Sequence, residues 1–237
     1  MVKSIVIVGG SSDIAKSTIS SISTENYKFH ALVRDDSHTD ELSGLGVNVI
    51  LGDATSEEDI KNFISGVKES GEIHAILHCV GSFAVRPPHA MNKEAFEAVI
   101  STNLTSAFLT LSIAGKAMLS QGHGRMVFMS SVAGSLGLVN HEAISAAKGG
   151  IESMVRSAAA TYANRGLRIN AVAPGLTDTK LASPIMSNET ASQAASQKIP
   201  VKRVGSKEEV ANVIKWLLTE APEKKERRKN MWGDALS

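Results

Sequence analysis

The chain is short of several things, and each shortage narrows what it does. It has one cysteine, Cys79, in 237 residues. A lone thiol excludes an internal disulfide framework and fits a reducing compartment, so the cytoplasm is the expected location. Net charge is +1 at pH 7, so neither nucleic acid nor an acidic membrane surface is expected as a partner. No apolar run reads as long enough to cross a bilayer. A strand-like run begins at Ser4, which leaves no room for a signal peptide ahead of it. Aromatic residues make up 4% of the chain, which argues against a large planar ligand. Tyrosine occurs only as Tyr27 and Tyr162, and no metal site is expected.

What is present is alternation. Six β-branched apolar runs recur: 4–8, 29–33, 47–51, 73–78, 125–129 and 168–172. Helical patterns separate them, at 13–22, 56–67, 91–119, 141–164 and 206–218. Ser56 is an expected N-cap, with Asp59 completing a capping-box-like pattern, and Gly166 stops the fourth helix. Strands alternating with helices predict an α/β fold, a Rossmann-like doubly wound parallel sheet with helices on both faces. The ligand is then expected at the carboxyl ends of the strands. The length suits one such domain, over 1–220, with a charged tail over 221–237.

The turn Gly9-Gly10-Ser11-Ser12-Asp13-Ile14-Ala15 leaves the first strand and opens the first helix. A helix N-terminus in that setting suits a dinucleotide pyrophosphate, with Ser11 and Ser12 offering hydroxyls and amides. A plain strand-turn-helix would use the same small residues. Arg34 ends the second strand, where a basic residue favours the 2′-phosphate of NADP over the ribose hydroxyls of NAD. Asp35 and Asp36 follow at once and could serve NAD with a shift of register. NADP(H) is therefore preferred, with NAD(H) as the second choice.

Further segments fall in a set order. Asp53-Ala54 follows the third strand, His78-Cys79-Val80-Gly81 closes the fourth, and Asn103 interrupts the long helix. Ser130-Ser131 follows the fifth strand, and Lys148 lies on the next helix. Pro174-Gly175-Leu176-Thr177-Asp178-Thr179 follows the sixth strand. Taken together, over residues 4 to about 218, these segments resemble the short-chain dehydrogenase/reductase family.

The resemblance implies a role for each. Gly9 makes the tight turn, with Asp13 and Ala15 standing where the family has its second and third glycines. Ile14 belongs to the same turn. Asp53 and Ala54 meet the adenine. Gly81 is what remains of the family's Asn-Asn-Ala-Gly. Pro174 and Gly175 turn under the nicotinamide, and Thr177 and Thr179 bond its carboxamide and the phosphate. Asn103 holds a water in a proton relay. Ser131, or its neighbour Ser130, holds the substrate carbonyl. Lys148 bonds the nicotinamide ribose and lowers the pKa of the acid. The implied activity is NAD(P)-dependent reduction of a small carbonyl compound or oxidation of an alcohol.

The acid itself is where the pattern breaks. Four residues before Lys148, on the same helical face, the family has tyrosine and this chain has Ile144. Tyr162 cannot substitute, being roughly 21 Å further along the helix at about 1.5 Å per residue, and Tyr27 precedes the second strand. Three readings stand. In the first, His141 replaces the phenol, because an imidazole titrates near neutrality and lies nearly one turn before Ile144; Glu142 would orient it or act itself. In the second, the protein binds cofactor without redox chemistry, as a sensor or partner subunit. In the third, cofactor and Ser131 give weak reduction alone. His141 is equally a helix-start polar residue.

Two segments remain. Residues 181–202, rich in serine, alanine and threonine, read as a lid over the substrate. The run 223–230 is charged where the family has a turn and a last strand, and Trp232-Gly233-Asp234-Ala235 only faintly matches its ending. The final strand is therefore expected to be missing or replaced. That would leave an exposed sheet edge and weaken any homo-oligomer built through that strand.

Overall fold

The structure, a computed structural model, describes residues 2–222. Six strands, β1 (Lys3–Val8), β2 (Tyr27–Val33), β3 (Val47–Leu51), β4 (Ile73–His78), β5 (Gly124–Met129) and β6 (Leu167–Val172), form one sheet in the order β3-β2-β1-β4-β5-β6. Every pairing is parallel. The order reverses between β1 and β4, so their carboxyl ends frame the crevice that such sheets offer a ligand. The strands are nearly continuous apolar runs because both faces are covered: β1 is buried from Ser4 to Val8.

The helices are α1 (Asp13–Ser21), α2 (Thr39–Gly44), α3 (Glu57–Ser70), α4 (Lys93–Ile100), α5 (Ser106–Leu119), α6 (Glu142–Tyr162), α7 (Ser183–Met186), α8 (Glu189–Lys198) and α9 (Lys207–Lys215). One core cluster joins Val6, Val8 and Ile76 to residues of α3, α5 and α6. The other joins Ile5, Ile7 and Leu77 to residues of α1 and α9. Strand residues alternate between the two, as a period of two requires.

Ser56 caps α3 by accepting from the Asp59 N–H. The reciprocal half of the expected box does not form, because the Asp59 carboxylate accepts from the Asp53 N–H at 2.7 Å and anchors the loop after β3. A complete box does form at α9, between Ser206 and Glu209. Arg203 also donates to the Glu209 carboxylate, holding it down at about 2.

The run Lys93–Leu119 corrects one expectation: by length and composition it could cross a membrane. Its buried face packs instead in the core, through Ala107, Leu111, Ala114 and Met118. After Trp216–Glu220 the chain turns inward at Ala221, which is buried, and its carbonyl accepts from Arg125 at 2.8 Å. The expected charged run and altered last strand lie outside the described residues. Among the described residues β6 ends the sheet.

Candidate active site

The carboxyl ends of the strands open into one cleft of about 1530 Å³, larger than the roughly 300–1,000 Å³ of a pocket for one drug-sized ligand. All the candidate residues line it: Gly9, Ser11, Ser12, Asp13, Ile14, Arg34, Asp53, Ala54, Gly81, Asn103, Ser131, His141, Lys148, Pro174, Gly175, Thr177 and Thr179. Glu142 is exposed and stands apart from it.

The turn after β1 is set by steric need. Gly9 has φ +86°, and a Cβ there would come within 2.8 Å of Val80 Cγ2 and 2.9 Å of its backbone nitrogen. Only glycine adopts that backbone readily. Asp13 does not point a bare charge at the cleft. Its carboxylate accepts from the Lys180 N–H at 2.6 Å and lies 3.6 Å from Lys16 Nζ. The aspartate thus ties the loop after β6 to the start of α1. The Ser12 hydroxyl makes no bond across the helix start.

At the end of β2, Arg34 is exposed over the cleft. Asp35 accepts from the backbone and hydroxyl of Ser37, bonds that hold its carboxyl below the usual range. Asp53 accepts from the Thr55 N–H and hydroxyl, each at 2.8 Å, with the same effect.

These features fit a dinucleotide. Glycine at position 9 brings bare backbone to the N-terminus of α1, where N–H groups lack partners. Gly81 keeps the floor open: a Cβ there would stand 3.3 Å from Asn103 Oδ1 and 3.6 Å from Lys148 Nζ.

The long helix widens at Ser101–Thr105, where a π-helical turn carries fully buried Asn103. Such turns re-aim side chains. The Asn103 amide donates to Ser82 Oγ at 2.8 Å and Val99 O at 2.9 Å, and its oxygen accepts from the Ser82 N–H at 3.3 Å. The sequence marks His78 only as part of a strand end and gives no sign of Ser82. His78 lies beside Ser106 Oγ at 3.0 Å, and that hydroxyl donates to Thr102 O inside the widened turn. The hydroxyl proton is thereby committed, so Nε2 of His78 is the donor. Burial pushes His78 down to about 3, so it is neutral.

Ser130 is turned away: its hydroxyl lies 3.1 Å from Lys148 O and 2.9 Å from the buried Glu152 carboxylate. Ser131 is the half-buried hydroxyl of the pair, held in the turn by the Ala133 N–H at 3.2 Å. Lys148 donates to Met129 O at 2.9 Å, and burial lowers it to about 8. One turn earlier Ile144, 8% exposed, packs among Val99, Ala133, Ala143 and Ala147. His141 sits at the start of α6 with Nδ1 2.7 Å from Val139 O.

A parallel sheet with a glycine turn at its switch point and a buried lysine over the cleft defines a dinucleotide-dependent oxidoreductase of the Rossmann class. The chain belongs to the short-chain dehydrogenase/reductase family: a family model described as enoyl-(acyl carrier protein) reductase matches residues 9–223. It is 31% identical over 218 residues to the 3-oxoacyl-[acyl-carrier-protein] reductase MabA of Mycobacterium tuberculosis, covering 92% of this chain and 86% of that protein. It is 29% identical over 222 residues to a tropinone reductase homologue of Arabidopsis thaliana, covering 90% and 82%. Among solved structures, levodione reductase superposes with a TM-score of 0.86 at 26% identity, covering 94% and 92%. A tyrosine-to-phenylalanine variant of ElxO with NADPH bound superposes at 0.88 with 25% identity, covering 95% and 94%.

Proposed function

We propose that this protein is an NADP(H)-preferring oxidoreductase interconverting a small carbonyl compound and its alcohol, with His141 taking the part of the absent tyrosine. The observation that carries this reading is the bond between His141 Nδ1 and Val139 O on a cleft shared with Ser131 and Lys148. It fixes the proton on Nδ1 and leaves Nε2 as the exchanging nitrogen. Bound NADPH would supply the hydride. Ser131 donates a hydrogen bond to the substrate oxygen and polarises the carbonyl. Protonated His141 passes its Nε2 proton to that oxygen and is left as the Nδ1–H tautomer that Val139 O accepts from.

The remaining residues hold the cofactor. Lys148 bonds the nicotinamide ribose, and Gly9, Ser11, Ser12 and Ile14 seat the pyrophosphate. Arg34 pairs with the 2′-phosphate. Asp35, engaged by Ser37, competes poorly for ribose hydroxyls, which leaves NAD(H) second. Asp53 and Ala54 meet the adenine; Pro174, Gly175, Thr177 and Thr179 hold the carboxamide end. Catalysis in the cytoplasm, on substrates free of nucleic acid or membrane, completes the proposal.

One observation favours a second reading. Ile144 is packed as core, and burying such a side chain is worth about 1.5–3 kcal/mol. An apolar plug at that point suits a nucleotide-binding relative without chemistry.

Titration of NADPH and NADH by fluorescence, followed by NADPH oxidation with carbonyl substrates, tests both. NADPH is expected to bind more tightly, and His141→Ala to lower kcat at least ~100-fold with NADPH affinity kept. Turnover that survives His141→Ala removes the histidine's role; binding without turnover establishes the second reading.

A further inference from the structure

The half of the cleft beyond the cofactor seat has a composition of its own. Phe83 and Val85 line it from the loop after β4, Leu136 and Leu138 from the turn before α6, and Leu181 and Val201 from either end of the segment carrying α7 and α8. All six are large apolar side chains left exposed, Val201 at 69%. Val139, at 80% exposed, lines the same mouth. Elsewhere on the described surface only Val2, Leu51, Phe96 and Phe108 are exposed in this way. Exposed apolar surface gathered at one concave mouth marks a binding surface, whereas scattered single residues do not. Among the described residues His141 is the one ionisable side chain in this half. Lys180 stands at the boundary, where Asp13 holds its backbone N–H.

We infer that the substrate is an uncharged carbonyl or alcohol carrying an aliphatic chain or ring, and that these six side chains select it. A sugar or polyol would bury hydroxyls against these six carbon side chains, which costs free energy at each hydrogen bond left unmade. Among the described residues, an anionic substrate would find no cation beside its chain other than Lys180 at the boundary. An aliphatic chain removes both its own apolar surface and that of the mouth from water. The inference rests on the oxidoreductase reading of the cleft.

The test uses 2-butanone, 2-hexanone and 2-octanone against glyceraldehyde and ribose, on protein loaded with NADPH. Binding is measured by calorimetry and turnover by NADPH oxidation. Binding is expected to tighten by up to about fourfold for each added methylene, with the hydroxylated compounds weakest. The double variant L138S/L181S, its fold checked by NADPH titration, is expected to weaken 2-octanone binding about tenfold or more. Chain-length-dependent binding without turnover upholds the substrate class and removes the chemistry. Turnover or binding that is flat along the series, or that favours glyceraldehyde or ribose, overturns the inference, as does a variant that leaves the series unchanged.

Discussion

The two ends of the cleft are built from different material. The cofactor end is mainly backbone: a left-handed glycine, a helix N-terminus and strand ends, with few side chains asked to do anything specific. Asp13 and Ala15 follow the turn there, and it keeps its shape because Gly9 sets it and Asp13 finds the Lys180 N–H. The chemical end depends on side-chain identity. There one residue, Ile144, sits one turn before Lys148 and packs among Val99, Ala133, Ala143 and Ala147. A site made of main chain tolerates substitution; a site made of functional groups does not.

The largest test of that contrast is Ile144→Tyr. A phenol one turn before Lys148 supplies an acid next to an ammonium, and kcat for NADPH-dependent carbonyl reduction is expected to rise about 100-fold. No rise would mean that the chemical end differs by more than one residue. Gly9→Ala attacks the opposite end. Forcing alanine to φ +86° against Val80 strains the turn by roughly 1–3 kcal/mol, and NADPH affinity is expected to fall more than tenfold in a fluorescence titration. Arg34→Ala should cost about tenfold in NADPH affinity and leave NADH nearly unchanged, since one charge-assisted contact is removed.

The smallest effect is on stability. His78 and His74 are lowered by burial, to about 3 and about 4, from 6.5. Their unfolded forms bind protons first, so stability is fully present above about pH 6.5 and is lost as pH falls towards those lower values. His78→Gln, which keeps a donor for Ser106, should reduce the fall in Tm between pH 7 and pH 5 by about 4–8 °C. An unchanged slope would show that His78 is not held neutral. For Lys148 the sign is the same: lowered to about 8 from 10.5, it costs stability below pH 8, and that cost fades between pH 8 and 10.5.

The strands were legible because both faces of each are buried, so β-branched runs stand out between helical patterns. Residues joined by the sheet itself, such as Gly9, Arg34 and Gly81, were legible for the same reason: each follows a strand end. What escaped was settled by long-range partners. Asp59 looked like half a capping box, but the Asp53 N–H lay nearer its carboxylate. Asn103 marks an interruption of the long helix in the sequence, but the widening itself depends on Ser106 and on His78 from another strand. The short helix α2 buries only Leu42, too little for a periodic signal. The sequence offers Glu142 as a partner for His141, yet a backbone carbonyl two residues away takes that place.

The bond from Asp13 to Lys180 spans 167 residues. A growing chain at about 5–20 residues per second needs roughly 8–35 s between making the first partner and making the second. Through that interval the start of α1 exists without the strap that closes over it. The nucleotide seat is therefore begun early in synthesis and finished late, and a nascent chain meets the cellular nucleotide pool with that seat still open on one side.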